Sequence, residues 1–125
     1  MSETNQAHKV DLKVVVSFPA ELVWSSVFGS AFETWSWWTT FNFLDGDWET
    51  PGHVALGIEN PDGGEDITKV LTIVEIVQAF QQALDLGYIS PNCMYLSTRE
   101  PDIDLDAEMG DVILQIAMIG DPTFG

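Results

Sequence analysis

The sequence predicts an α+β domain, an antiparallel sheet of about four strands with about three helices packed on one face. Three observations predict it. Runs rich in β-branched and aromatic residues follow one another with short turn signals between them, the pattern of consecutive antiparallel strands. Longer stretches repeat apolar residues at helical spacing. The chain has 125 residues, enough for one core and too few for two. A polar tail, residues 1–9, is expected to be flexible ahead of a single domain, 10–125.

The elements follow in order. "VDLKVVVSF", residues 10–18, alternates Val10, Leu12, Val14 and Val16 on one face and predicts a strand. Pro19 suits the first turn of a helix, because its missing N–H has no partner there anyway. In "PAELVWSSVFGSAF" the residues Trp24, Val27, Phe28, Ala31 and Phe32 keep the i, i+3, i+4 spacing, although Gly29 weakens the helix. "FETWSWWTTFNF", 32–43, holds three Trp and three Phe. As helix it would line up Trp24, Phe28, Phe32, Trp35 and Trp38. As strand it would line up Trp35, Trp37, Thr39, Phe41 and Phe43. A changeover is expected, with helix to about residue 34 and strand from about 36 to 44, since β-branched and aromatic residues favour a strand.

"DGD", 45–47, marks a turn. Strands are predicted at 53–60 and 65–73, joined by "PDGG" as a hairpin. "TIVE", 72–75, is a capping box that opens a helix burying Ile73, Ile76, Val77, Phe80 and Leu84 and ending at Gly87. Residues 88–105 read as irregular. A last helix, about 106–119, starts at Asp106 and stops at Gly120 and Pro122. The predicted order is β-α-β-β-β-α-α.

Charge sets the partner class. Twenty acidic residues face four basic ones, Lys9, Lys13, Lys69 and Arg99, for a net charge of -16. Small designed domains usually carry about 2–8. Such an excess repels itself in a compact body and disfavours nucleic acid and anionic membranes as partners. It favours basic proteins. A domain of this length is about 35 Å across. Duplex DNA carries about 20 charges over that distance, so the protein's charge is of the same order. Carboxylates spaced like phosphates would compete for a basic DNA-binding groove. Clusters 45–66 and 100–111 would then have to share one face. The candidate partner-binding residues are Asp45, Asp47, Glu49, Asp62, Glu65 and Asp66, then Asp102, Asp104 and Asp106.

The aromatic residues are read chiefly as core. Base stacking works beside a basic groove, and no basic residue lies between Lys13 and Lys69. One or two indoles, Trp38 or Trp48, are candidates for exposed protein-binding anchors, and Trp48 is retained as a site residue.

Enzyme, cofactor and metal readings find little support. Asp102, Asp104, Asp106 and Glu108 resemble the start of a calcium loop. The loop's sixth and twelfth positions require Gly and Glu, and here they are Ala107 and Ile113. Asp106 and Glu108 instead suit a helix start. His8 falls in the tail, which leaves His53 without a second ordered histidine. Cys93 is the one cysteine, so no internal disulfide forms, which fits a reducing cytoplasm. "PDGGED" precedes a strand and carries acids, which excludes a phosphate loop. The N-terminus lacks a signal-peptide pattern, and no apolar run reaches the ~20 residues of a membrane span.

"VWSSVFGSAFETWSWW", "LDGDWETPGHV", "ENPDGGEDITKVLTI" and "DVILQIAMIGDPTFG" together resemble a family of small acidic proteins encoded in actinobacteriophage genomes. The similarity runs from about residue 10 to the end and is poorer over 88–105. It implies a phage origin and the host cytoplasm as the working place. The family has no assigned activity and supplies no catalytic residues. By analogy with other small acidic phage proteins, a host-takeover or anti-defence role is expected. The expected function is therefore non-enzymatic engagement of a basic, nucleic-acid-binding host protein, in the manner of a DNA mimic. The alternative is an aromatic-anchored interaction module whose charge serves solubility only. The sequence leaves the oligomeric state open and is compatible with a homodimer.

Overall fold

A computed structural model describes residues 17–95 and 101–125. The predicted tail, the predicted first strand as far as residue 16, and Lys9, Lys13, Arg99 and Glu100 lie outside the described residues. Helix α1 is Ala20–Phe28, followed by a 3-10 turn, Phe32–Thr34. Strands β1 (Trp38–Phe43), β2 (Val54–Ile58) and β3 (Ile67–Leu71) come next, then helix α2 (Ile73–Asp85). After a second 3-10 turn, Pro91–Cys93, come β4 (Met94–Tyr95), β5 (Asp102–Ile103) and helix α3 (Ala107–Ile119).

The fold is α+β with three helices among the described residues and antiparallel sheets. It departs from the expected single four-stranded sheet. β1-β2-β3 form one sheet, and β4 and β5 form a separate two-stranded one. The order after α1 is thus β-β-β-α-β-β-α, and the segment 88–105 is not wholly irregular.

Helix α1 ends six residues earlier than periodicity suggests. Gly29 takes the cap position, and Ala31 adopts the left-handed conformation at φ 62°. This break swings Phe32 back beneath the sheet, where it is fully buried. Strand β1 also departs from simple alternation. Trp38 pairs with Ile58 and Thr40 with Gly57, so Thr39 is an extra, bulged residue. The bulge shifts the side-chain phase. Trp38, not Trp37, joins Phe41 and Phe43 on the core face, opposite Ile58, Leu56 and Val54.

The core is aromatic. Trp24 packs on Phe28 with ring centres 4.6 Å apart, Phe28 on Phe43 at 5.5 Å, and Phe32 on Trp38 edge-to-face at 5.2 Å and 88°. Burying one such Phe side chain contributes roughly 1.5–3 kcal/mol before the aromatic geometry adds its share. The opposite sheet face carries exposed Thr40, Asn42, Thr68 and Val70, so helices cover one face only.

Helix α2 starts as its capping box predicts. The Thr72 N–H donates to the Glu75 carboxylate at 3.0 Å, and the Thr72 hydroxyl donates to the same oxygen. Ile76 and Phe80 are buried as expected, joined by Ala79 and Ala83, while Ile73, Val77 and Leu84 are half-buried. Helix α3 is capped by Asp106, whose carboxylate accepts from the Met109 N–H at 2.8 Å. It packs tightly at Gly110, where a Cβ would lie 1.9 Å from Ser30 Oγ. Among the described residues no helix is long and apolar enough to cross a membrane.

Candidate functional site

Helix α1 is the floor of the candidate site. From one side the fully buried Trp24 sends its indole N–H to the Asp47 carbonyl at 2.8 Å, pinning the β1–β2 loop. The loop is organised by its own acids. Asp47 Oδ1 accepts from the N–H groups of Glu49 (2.9 Å) and Thr50 (2.7 Å). Asp45 accepts from the His53 N–H and lies 3.0 Å from its ring Nδ1. These backbone donors hold both carboxyls below the ordinary range, so the loop stays ionised. Gly46 turns the chain at φ 70°, which a side chain would resist. At the loop tip the Trp48 ring lies over Gly29 and remains 48% exposed.

From the other side the single Ser26 hydroxyl proton is shared between Leu22 O, 2.6 Å away, and the Ile103 carbonyl, 3.1 Å away. This lays Asp102–Leu105 along the helix, with Ile103 and Leu105 buried and Asp102 and Asp104 exposed. Between the two walls runs a cleft of about 250 Å³, with Ser25 and Gly29 in its floor, Trp48 on one wall and Asp102 and Asp104 on the other. The acidic segments at 45–49 and 102–104, far apart in the chain, are therefore neighbours across α1. Asp106 follows at the start of α3, where its carboxylate serves as a cap.

The other predicted acids are elsewhere. Asp62, Glu65 and Asp66 belong to the β2–β3 hairpin, at the opposite end of the antiparallel sheet from Asp45, Asp47 and Glu49. Five residues of β2 separate the two loops, a span of about 17 Å. The run 45–66 is thus not one patch. Lys69, the one Lys or Arg among the described residues, lines a shallow depression at that far end together with Asp62.

Trp38 is half-buried and is not an exposed anchor. Its indole N–H and that of Trp37 both donate to Asp111 Oδ1, each at 2.7 Å. Gln115 Nε2 donates to Asp111 Oδ2 at 2.9 Å. Asp111 is buried at 3% exposure with three N–H donors and, among the described residues, no cation beside it. Burial pushes its carboxyl above the ordinary range, the donors pull the other way, and burial prevails. Counting Asp111 with the acids of 100–111 does not reveal this role. The signal in the sequence is that Asp111 and Gln115 stand one helical turn apart in the otherwise apolar stretch "DVILQIAMI".

Cys93 is buried, which pushes its thiol up, and His53 is exposed. Among the described residues no three His, Cys, Asp or Glu side chains converge on a metal-sized site. No known protein family, no curated protein and no solved structure matches this chain.

Proposed function

We propose that the protein binds a basic surface of another protein through the α1 cleft and its acidic rim. The observation that carries this reading is that Asp102 and Asp104 face, across α1, the half-exposed Trp48 at the tip of the acidic loop 45–49. Glu49, Asp102 and Asp104, with the ionised Asp45 and Asp47, offer acceptors to Lys or Arg, and the Trp48 ring offers a face for a cation. Together with the resemblance to actinobacteriophage proteins, this favours a host protein that handles nucleic acid. The hairpin acids Asp62, Glu65 and Asp66, about 17 Å away along β2, suit an elongated basic groove that touches both ends, as a DNA mimic requires.

A pull-down from host lysate at low and moderate salt tests it. Capture should fall steeply with salt, and Asp102→Asn with Asp104→Asn should weaken it more than Asp62→Asn with Asp66→Asn. Capture indifferent to salt would overturn the reading. The exposure of Trp48 favours a second one, an aromatic-anchored module whose charge serves solubility. In that case Trp48→Ala abolishes capture at every salt concentration and the Asp substitutions leave it intact.

A further inference from the structure

The chain after α3 folds back as a strap, and its seat has the form of a receptor. Gln115 is fully buried and reads both backbone polar groups of one residue. The Phe124 N–H donates to Gln115 Oε1 at 2.8 Å, and Gln115 Nε2 donates to the Phe124 carbonyl at 3.2 Å. The Phe124 ring lies nearly parallel to Trp37, with centres 5.5 Å apart at 12°. Trp37 is itself braced by Trp35 at 5.2 Å and 3°, and by its indole bond to Asp111. One backbone unit and one aromatic ring are all the seat recognises, and an extended segment of another chain can present both.

The strap hangs from Gly120, which is left-handed at φ 82°, and passes through Pro122. Asp121 and Thr123 are exposed, and Asp121 Oδ1 accepts from the Tyr88 hydroxyl at 3.1 Å. The strap therefore contributes an exposed carboxylate, Asp121, to a chain whose net charge is -16. A second copy of the chain would bring another net charge of -16. A segment carrying Lys or Arg beside its aromatic residue would bring the opposite sign.

We propose that the Trp37–Gln115 seat is a peptide-recognition site, filled in cis by residues 121–124, which exchanges this strap for an extended basic segment of a partner bearing a phenylalanine. The exchange rests on the reading of the partner as basic and adds a second, aromatic-specific contact to the cleft.

The test uses the full chain with Phe124→Ala and a capped peptide, KPTFGK, followed by the indole N–H resonance of Trp37. The variant should remain folded and bind the peptide saturably. Wild type should bind at least about tenfold more weakly, because its own strap competes at high effective concentration. A peptide with Ala in place of Phe, or with an N-methyl group on the Phe nitrogen, should not bind, and a DPTFGD peptide should bind more weakly. A folded variant that ignores KPTFGK, or binds the Ala peptide equally well, overturns the proposal. So does a variant that fails to fold, since the strap would then be a part of the core that cannot leave. Loss of the KPTFGK response with salt-sensitive capture through Asp102 and Asp104 intact would remove the seat and leave the cleft reading standing.

Discussion

Asp111 and the acids of the β1–β2 loop are the same chemistry in opposite settings. In the β1–β2 loop, Asp45 and Asp47 are exposed to water and held below the ordinary carboxylate range by backbone N–H groups. Inside, Asp111 meets two indoles and an amide, with burial raising its carboxyl. The difference teaches that a charge count does not distinguish a surface from a keystone. One carboxylate of twenty ties β1, α3 and, through Gln115, the strap together.

The harshest way to break that comparison is Asp111→Ala. It strands two indole N–H groups and disturbs Gln115, so a loss of about 3–5 kcal/mol is expected in denaturant unfolding. Asp111→Asn should cost less, about 1–3 kcal/mol, since its oxygen can still accept the indoles while its NH₂ opposes Gln115 Nε2. Equal losses for the two variants would show that one amide oxygen cannot replace the carboxylate and that the network requires both acceptor oxygens. Next, Gly110→Ala drives a methyl into Ser30 Oγ and should cost about 1–3 kcal/mol. The added change Ser30→Gly should recover part of it, and no recovery would place the strain elsewhere.

A pH series sharpens the contrast. Asp111 has a raised folded-state value, so its contribution favours the native state once it is protonated and is lost as pH rises through that value. Asp45, Asp47 and Glu75 have lowered values, so their contributions are present above the ordinary carboxylate range and lost as pH falls through the folded ones. The melting temperature should rise on mild acidification and fall on stronger acidification. Asp111→Asn should remove the rise and keep the fall. The smallest structural effect is expected from Trp48→Ala, about 1 kcal/mol or less for a ring that is half exposed. Its effect should appear in partner capture instead.

Much of the fold was legible because local chemistry and tertiary structure agree. Thr72 and Glu75 announce the start of α2, Asp106 caps α3, and "PDGG" turns between β2 and β3. The end of α1 was not legible, because Phe32 continues the helical stripe while the left-handed Ala31 interrupts the backbone beneath it. Nor was the phase of β1, since a bulge is a property of the pairing with β2 and leaves no mark on β1 alone. In the site, exposure of the loop acids followed from their turn chemistry. Their division between two ends of a sheet, and the meeting of residues 45–49 with 102–104 across α1, depend on topology.

The bulge at Thr39 has a further effect. Paired as an ordinary strand residue, Thr39 would put Trp38 in phase with Thr40 and Asn42 on the open face, because side chains alternate along a strand. Left unpaired, it lets Trp38 share the phase of Phe41 and Phe43 and reach Asp111. Trp37 lies in the turn ahead of β1, outside that alternation, so its indole meets the same oxygen. Removing Thr39 would leave a regular strand with Trp38 still inward, so the insertion is absorbed by the ladder and the pivot at Asp111 is spared.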